Sequence, residues 1–241
     1  DSSIGSRHPD IIYHLALLTE RELTPQRAGD SIGSLLAVLE AARRHGVPRV
    51  VVALPANALY GHPAVKELPV KERDPSAFEG RGVRGVIARS LLDLLAVYRE
   101  RYAVEFAALL LSTVYGPRQR ADGGVVAALR AAARSGSAPT ITGDGRQTRD
   151  LLFVDDAVDA LVRAAERSGG VAINVGTGTQ TSINDLWSRV ARTTGAERAD
   201  PHFVGVRPDE LHRFAVSPVR ARIHLGWSPW TTLDEGLTRL D

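Results

Sequence analysis

The residues best suited to chemistry lie between Gly143 and Asp156, where a Gly-Asp-Gly turn is followed by Arg149-Asp150 and a short apolar strand. A planar guanidinium can meet phosphate oxygens through two parallel hydrogen bonds, whereas a Lys would meet them only as a point charge. Arg149 is therefore a candidate phosphate ligand. The same spacing is also typical of an ion pair between Arg149 and Asp150 at the protein surface, and this run of residues alone leaves both interpretations open.

The elements that must position Arg149 follow from hydrophobic periodicity. In the first half, apolar runs predict strands at 11–16, 49–54 and 105–111, and helical repeats predict helices at 34–44 and 86–101. His45-Gly46 is expected to end the first of these helices. This alternation is typical of a parallel sheet covered by helices on both faces. In the second half we predict helices at 123–134, 155–167 and from about 183 to 194, and strands at 139–141 and 171–175.

Several further motifs occur in a fixed order along the chain. They are His14-Leu15-Ala16, LEAA at 39–42, VYGPRQ at 114–119, the run around Arg149, NVGTG at 174–178, RPDE at 207–210 and LGWSP at 225–229. Together they resemble the extended short-chain dehydrogenase/reductase family, the NAD-dependent nucleotide-sugar epimerases and dehydratases. The resemblance implies an α/β fold with a Rossmann-like, doubly wound parallel sheet and a smaller C-terminal substrate lobe.

The resemblance also implies a domain organisation. Residues 1–120 are expected to form the NAD-binding domain, and residues 121–241 mainly the sugar-nucleotide-binding lobe, interleaved with late sheet elements. The family places a Gly-rich phosphate loop between its first strand and helix. The sequence holds no such loop, since its nearest imitation, Gly29 to Gly33, lies in a helical context. We therefore expect about 60 residues, two βαβ steps, to precede Asp1.

By resemblance, a set of residues is expected to bind the ligands. NAD would contact His14, Leu15 and Ala16 at a strand end, although His14 is equally well interpreted as a partly buried structural histidine. A nucleotide sugar or nucleoside diphosphate would be held through its diphosphate by Arg149 and Arg207. Thr113 occupies the position of a family Asn that contacts the substrate.

The resemblance also implies that the three catalytic positions of the family are replaced in this chain. The family uses a Ser or Thr and a Tyr-x-x-x-Lys pair, in which the Lys lowers the Tyr pKa so that Tyr can exchange a proton with a sugar hydroxyl. Ala56, Arg84 and Ala88 stand at these positions, and no Tyr-x-x-x-Lys pair occurs in the sequence. Arg cannot replace Tyr, because a guanidinium stays protonated.

Two functions therefore remain open. The first is an NAD-dependent nucleotide-sugar epimerase or dehydratase with an unconventional acid/base. The second is a catalytically degenerate homologue that binds a sugar nucleotide or serves as a partner subunit.

Composition argues against other classes of protein. The 30 Lys and Arg are balanced by 28 Asp and Glu and are scattered along the chain, so we do not expect nucleic-acid binding. No apolar run approaches the roughly 20 residues of a membrane span, which favours a cytoplasmic protein. With no Cys and no metal-type spacing among the seven His, neither a thiol nor a metal site is expected. The resemblance implies a homodimer formed by helices 34–45 and 86–101.

The remaining polar and aromatic clusters have structural interpretations. Asn174 is expected to stabilise a turn. The acidic pairs Asp155-Asp156 and Asp209-Glu210 are expected to begin helices, where carboxylates are favoured by the helix dipole. The three tryptophans, at 187, 227 and 230, are expected to be packed in the interior.

Overall fold

The computed structural model describes residues 2–18, 24–73, 82–120, 122–167, 169–195, 199–206 and 210–240. Strands and helices alternate through the first half as α1 (Ser2–Arg7), β1 (Ile11–His14), α2 (Pro25–His45), β2 (Arg49–Pro55), α3 (Ala56–Tyr60), α4 (Gly82–Tyr102) and β3 (Glu105–Leu111). The second half contains β4 (Thr113–Tyr115), α5 (Val125–Ser135), β5 (Thr140–Thr142), β6 (Thr148–Arg149), β7 (Leu151–Phe153), α6 (Val154–Arg167), β8 (Val171–Val175), β9 (Thr181–Ser182), α7 (Ile183–Thr194), β10 (His202–Val204), α8 (Val219–Leu225) and α9 (Leu233–Thr238).

Helix α2 begins nine residues earlier than its apolar repeat predicts. Thr24 caps it, since the Thr24 hydroxyl accepts a hydrogen bond from the Arg27 amide at 3.3 Å, and Pro25 occupies the first turn. The capping signal is local and lies outside the apolar repeat, which is why periodicity alone misses it. The end of the helix is as predicted, because Gly46 adopts the left-handed conformation at φ +66°.

Four of the described strands form one parallel sheet in the order β1-β2-β3-β8. In the central pair, Arg49 lies opposite Glu105 and Pro55 opposite Leu111. Parallel strands run their carboxyl ends to the same edge, so β1, β2, β3 and β8 all end on one side of the sheet. The predicted parallel α/β sheet is confirmed.

Helices cover both faces of this sheet. Val50 and Val52 of β2 pack into a core with residues of α2, α3 and α4, whereas Val51 packs into a second core with residues of α6 and α8. Successive side chains of a strand point to opposite faces, so this division is that of a doubly wound sheet.

The rest of the second half forms a smaller unit with short strand pairs, namely β5 with β10, β4 with β7 and β6 with β9. Its core includes Trp187, which is 1% exposed. Trp227 is equally buried, but Trp230 is 55% exposed, so its assignment to the interior is wrong. Strand β8 is part of the main sheet and α6 packs against it, while the division of the chain near residue 120 stays a prediction.

Candidate functional site

The candidate site lies along the carboxyl edge of the sheet. In doubly wound folds, ligands bind in the crevice outside the carboxyl ends of the strands. Strands β1, β2, β3 and β8 end there at His14, Pro55, Leu111 and Val175. The loops and helices that follow these four residues therefore supply the candidate ligand contacts.

The first of these loops contains the predicted cofactor residues His14, Leu15 and Ala16. The His14 Nε2 atom lies 3.2 Å from the Ser34 hydroxyl of α2, and burial lowers the pKa of the imidazole. Leu15 is 47% exposed and Ala16 is also exposed. His14 is thus tied to the fold, while the next two residues offer an open apolar surface at the strand end.

The three residues that are predicted to stand at the family's catalytic positions lie on α3 and α4, and these two helices pack against each other. Ala56 begins α3, and both Ala56 and Ala88 are fully buried in the core that α2, α3 and α4 share. Arg84 lies in the first turn of α4, and its Nη2 donates a hydrogen bond to the Leu18 carbonyl at 2.8 Å. None of these three side chains can act as a general base, since Ala carries no titrating group and a guanidinium stays protonated.

Tyr60 is the nearest phenol in sequence to these positions, but its environment suits a structural role. Its hydroxyl donates to the Asn174 Oδ1 atom at 2.7 Å, and burial raises its pKa. Asn174 in turn donates through Nδ2 to the Val70 carbonyl at 2.9 Å. The fully buried Asn174 side chain therefore joins β8 to α3 and to the loop at Val70. Its role is structural, but these contacts are long-range and are not those of the expected turn.

Arg149 lies on β6. The sequence predicted either a ligand phosphate or Asp150 as its partner, whereas the structure pairs it with Glu210. Its Nη2 donates to the Glu210 carboxylate at 2.6 Å, and its Nη1 donates to the carbonyls of Thr148 and Leu211 at 2.8 and 2.6 Å. The side chains of Arg149 and Glu210 are only 15% and 9% exposed. The expected helix start at Glu210 is therefore wrong, since Glu210 lies outside any helix and serves as the counter-ion of Arg149.

Asp150 does not pair with Arg149, which removes the surface ion-pair interpretation. Its buried carboxylate accepts hydrogen bonds from the Thr177 amide and hydroxyl at 2.8 and 2.7 Å, and from the amides of Gly178 and Val216 at 3.1 Å. Burial raises the Asp150 pKa, against the opposing effect of these donors. Asp150 thus fixes the turn after β8. This turn carries the NVGTG motif at 174–178.

The Gly-Asp-Gly turn before Arg149 is held by hydrogen bonds to α7. Gly145 has φ +75°, and a Cβ atom there would lie 2.0 Å from the Asn184 side chain. Asn184, in the first turn of α7, donates to the carbonyls of Gly145 and Asp144, each at 3.0 Å. The backbone conformation favours glycine at this position, and a larger residue would displace the Asn184 side chain.

The structure describes some of the other residues singled out from the sequence but not all of them. Thr113 begins β4, is partly exposed, and donates its amide to the Asp150 carbonyl at 2.9 Å, so it lies next to the Arg149 segment. Arg207 lies outside the described residues, and its role as a diphosphate ligand stays a prediction. Asp155 and Asp156 are in the first turn of α6, as expected, and Asp156 also accepts from the Thr231 hydroxyl at 2.8 Å.

Within the described ranges, no three His, Asp or Glu side chains gather closely enough to hold a metal ion. Of the helices in the described part of the chain, none has the length and apolarity needed to cross a membrane.

The residues present fit NAD along one wall of its site. The exposed Leu15 and Ala16 could face an apolar part of the cofactor at the end of β1. Ala88, which is predicted to stand at the position of the family Lys, has a side chain with no hydrogen-bond donor and is fully buried. The exposed apolar surface after β1 is therefore compatible with NAD, and its contact with the cofactor stays a prediction.

Comparisons with known proteins agree with this architecture. UDP-glucose 4-epimerase of Mycolicibacterium smegmatis is 36% identical over 242 residues, which cover 96% of this chain and 74% of the relative. A putative UDP-glucose 4-epimerase of Methanocaldococcus jannaschii is 29% identical and is covered over 78% of its length.

Among solved structures, UDP-glucose 4-epimerase of Thermotoga maritima with UDP-glucose superposes with a TM-score of 0.91 at 27% identity, covering 98% of this chain and 77% of that one. UDP-glucuronic acid 4-epimerase of Bacillus cereus, in complex with UDP-glucuronic acid and NAD, gives a TM-score of 0.85 at 26% identity, covering 97% and 74%. The model of the NAD dependent epimerase/dehydratase family matches residues 2–176. The fold, the site at the sheet edge and these matches together show that the chain belongs to the NAD-dependent epimerase/dehydratase family, as its motifs predict.

Proposed function

We propose that this protein binds a nucleotide sugar or nucleoside diphosphate through Arg149 and does not carry out the Tyr-driven hydride cycle of its family. The absence of the Tyr-driven cycle is supported by two fully buried alanines, Ala56 and Ala88, and by an arginine, Arg84, at the predicted Tyr position. The protein would then act as a sugar-nucleotide-binding or partner subunit. The predicted homodimer and cytoplasmic location remain predictions.

The hydrogen bonds that hold Arg149 support its proposed role in nucleotide binding. Its guanidinium is held by a carboxylate and two carbonyls, so its orientation is fixed before any ligand arrives. A preorganised guanidinium loses little side-chain entropy when it meets a phosphate. The relatives in the T. maritima and B. cereus structures are in complex with UDP-glucose and UDP-glucuronic acid, which makes a uridine diphosphate the first ligand to test.

NAD, when bound, would supply the hydride acceptor, and the loop from His14 to Ala16 is the part of this chain that would hold it. A proton must leave the sugar hydroxyl as the hydride leaves its carbon, and a positioned base contributes about 10²–10⁴-fold to such a step. None of the residues at the three family positions offers that base.

A second candidate is an active epimerase that uses another base, and His14 is the residue that favours it. Its imidazole lies at the carboxyl edge, and burial lowers its pKa, which keeps it neutral and able to accept a proton near pH 7. Tyr60 does not favour this candidate, because its raised pKa disfavours the phenolate.

Calorimetric titration of the protein with UDP, dTDP and GDP tests whether it binds a nucleoside diphosphate. One charge-assisted phosphate contact is worth about 1.5–3 kcal/mol, and a Lys keeps the charge but loses the bidentate geometry, so Arg149→Lys should weaken binding of the preferred ligand by up to about one decade. Arg146→Lys is the matched control, because Arg146 lies three residues away with a side chain that is 86% exposed. Equal affinity in wild type and Arg149→Lys would refute the Arg149 contact.

The catalytic half is tested by incubating the protein with NAD and a panel of UDP-, dTDP- and GDP-sugars, and following sugar epimers by NMR. We expect no turnover. Turnover near the enzyme median of roughly 10 s⁻¹ would contradict the degenerate interpretation, and its loss in His14→Gln would identify the base.

A further inference from the structure

The proposed phosphate ligand, Arg149, is paired with an acidic residue. Its Nη2 atom donates to the Glu210 carboxylate at 2.6 Å, and the two side chains are 15% and 9% exposed. Charges act strongly on each other where water is largely excluded, and salt screens them little there. The Glu210 carboxylate therefore offsets the attraction that the Arg149 guanidinium alone would exert on a phosphate.

The guanidinium geometry places a bound phosphate close to this carboxylate. A guanidinium has five N–H donors. Three of them are engaged, since Nη1 donates to the carbonyls of Thr148 and Leu211 and Nη2 donates to Glu210. At most one donor on Nη2 and the donor on Nε can reach a phosphate. A phosphate oxygen bound by Arg149 therefore shares one guanidinium group with the Glu210 carboxylate.

The residues that follow Glu210 hold it in this place. The His212 carbonyl accepts a hydrogen bond from the Thr148 amide at 2.8 Å, and the Phe214 amide donates to the Thr148 hydroxyl at 3.4 Å. This segment is thus fixed along β6, the strand that carries Arg149. Its attachment favours a carboxylate that stays beside the guanidinium when a ligand binds.

Ligands of the proposed class differ in the charge of their terminal phosphate. In a nucleotide sugar both phosphates are diesters, and each carries one negative charge. In a free nucleoside diphosphate the terminal phosphate is a monoester, whose charge is about −1.5 to −2 at pH 7. The additional charge would lie near a carboxylate, at a guanidinium whose own charge is already compensated.

We infer that Glu210 is a specificity-determining residue, which makes this protein prefer the diphosphate of a nucleotide sugar to a free nucleoside diphosphate. The inference rests on the proposed binding through Arg149 and narrows its ligand class. Glu210 acts on the ligand by repulsion between like charges and not by direct contact.

Calorimetric titration of wild type, Glu210→Gln and Glu210→Asp with UDP and UDP-glucose tests this role. Gln keeps an acceptor for Arg149 and removes the charge, whereas Asp keeps the charge. At pH 7.5 wild type should prefer UDP-glucose by about tenfold, and Glu210→Gln should bind UDP about tenfold and UDP-glucose about threefold more tightly than wild type does. Glu210→Asp should keep the wild-type preference. Glu100→Gln, in the exposed last turn of α4, is the matched control and should bind as wild type.

A second measurement needs no variant. The terminal phosphate of UDP takes up its second proton at a pKa of about 6, whereas UDP-glucose has no phosphate that titrates there. Relative to UDP-glucose, wild type should therefore bind UDP about threefold more tightly at pH 5.5 than at pH 7.5. A site with uncompensated positive charge would show the opposite order, because it binds the more highly charged phosphate better.

The outcomes separate the inference from the proposed function. If wild type binds UDP and Glu210→Gln binds it no more tightly, the inference is overturned and the proposed function stands. If neither protein binds either ligand, both fail. Binding by Glu210→Gln alone would support the inference and refute binding by wild type. If Glu210→Gln does not fold, the pH dependence of wild type decides, and tighter relative binding of UDP at pH 7.5 would refute the role of Glu210.

Discussion

Replacement of Arg149 by Ala is expected to lower the free energy of unfolding substantially, whether or not a ligand is present. The Arg149 guanidinium donates to Glu210 at 2.6 Å and to two backbone carbonyls at 2.8 and 2.6 Å. The side chains of both ions are more than four-fifths buried. The Ala variant would leave the Glu210 carboxylate in this setting without its main counter-ion.

The magnitude follows from that burial. Removing one partner of a buried ion pair costs about 3–5 kcal/mol, because the remaining charge is uncompensated. Native domains have a total stability of about 5–15 kcal/mol, so the loss would be a large fraction of it. The variant Arg149→Ala, Glu210→Gln removes the stranded charge as well, and should recover part of the loss.

Urea denaturation followed by circular dichroism is the appropriate assay, with wild type, both single variants and the double variant forming a cycle. We expect a coupling free energy of about 0.5–3 kcal/mol between the two residues. Arg146→Ala is the control and should change stability by no more than about 0.5 kcal/mol, as exposed substitutions do. A loss that small for Arg149→Ala would refute the reasoning, since it would mean that the pair is solvated.

Three further outcomes are expected. Hydrogen bonds from Arg43 and Arg44 hold the pKa of Glu40 down at about 2, so its stabilising effect is present above its ordinary value of 4.5 and is lost as pH falls toward 2. Wild type should therefore melt above Glu40→Gln at pH 6 and together with it near pH 2, and a pH-independent difference in melting temperature would contradict this. Ala88→Lys should destabilise the protein by at least about 1–3 kcal/mol in urea denaturation, because the position is filled, and unchanged stability would show room for the family Lys. Light scattering should give a dimer for wild type and a monomer for Val97→Glu, a 42% exposed position on α4, and a wild-type monomer at micromolar concentration would count against the interface.

The sequence by itself determined the fold class and family. Apolar periodicity predicts β2, β3 and β8 almost to the residue, because buried parallel strands are continuous apolar runs that depend little on their neighbours. Helix ends with a local signal, such as Gly46, are equally legible. The start of α2 is missed, since Gly29 and Gly33 interrupt the repeat while the Thr24 cap lies outside it.

For the candidate site, the sequence gives the residue types but not their contacts. The sequence alone predicts that Ala56, Arg84 and Ala88 stand where the family has its catalytic residues, and none of these residue types could serve as the Tyr or the Lys. That assignment stays a prediction. What those residues contact could not be predicted, since the Leu18 carbonyl is 66 residues from Arg84 along the chain.

Only the tertiary structure decided which charges are paired. Sequence spacing favours Arg149 with its neighbour Asp150, yet Arg149 pairs with Glu210, 61 residues away, and Asp150 turns to the backbone amides after β8. Arg149 ends β6 and Asp150 lies between β6 and β7, so the two side chains of this Arg-Asp step meet different surroundings. Local sequence sets which groups are available, and the long-range packing of the strands sets their partners.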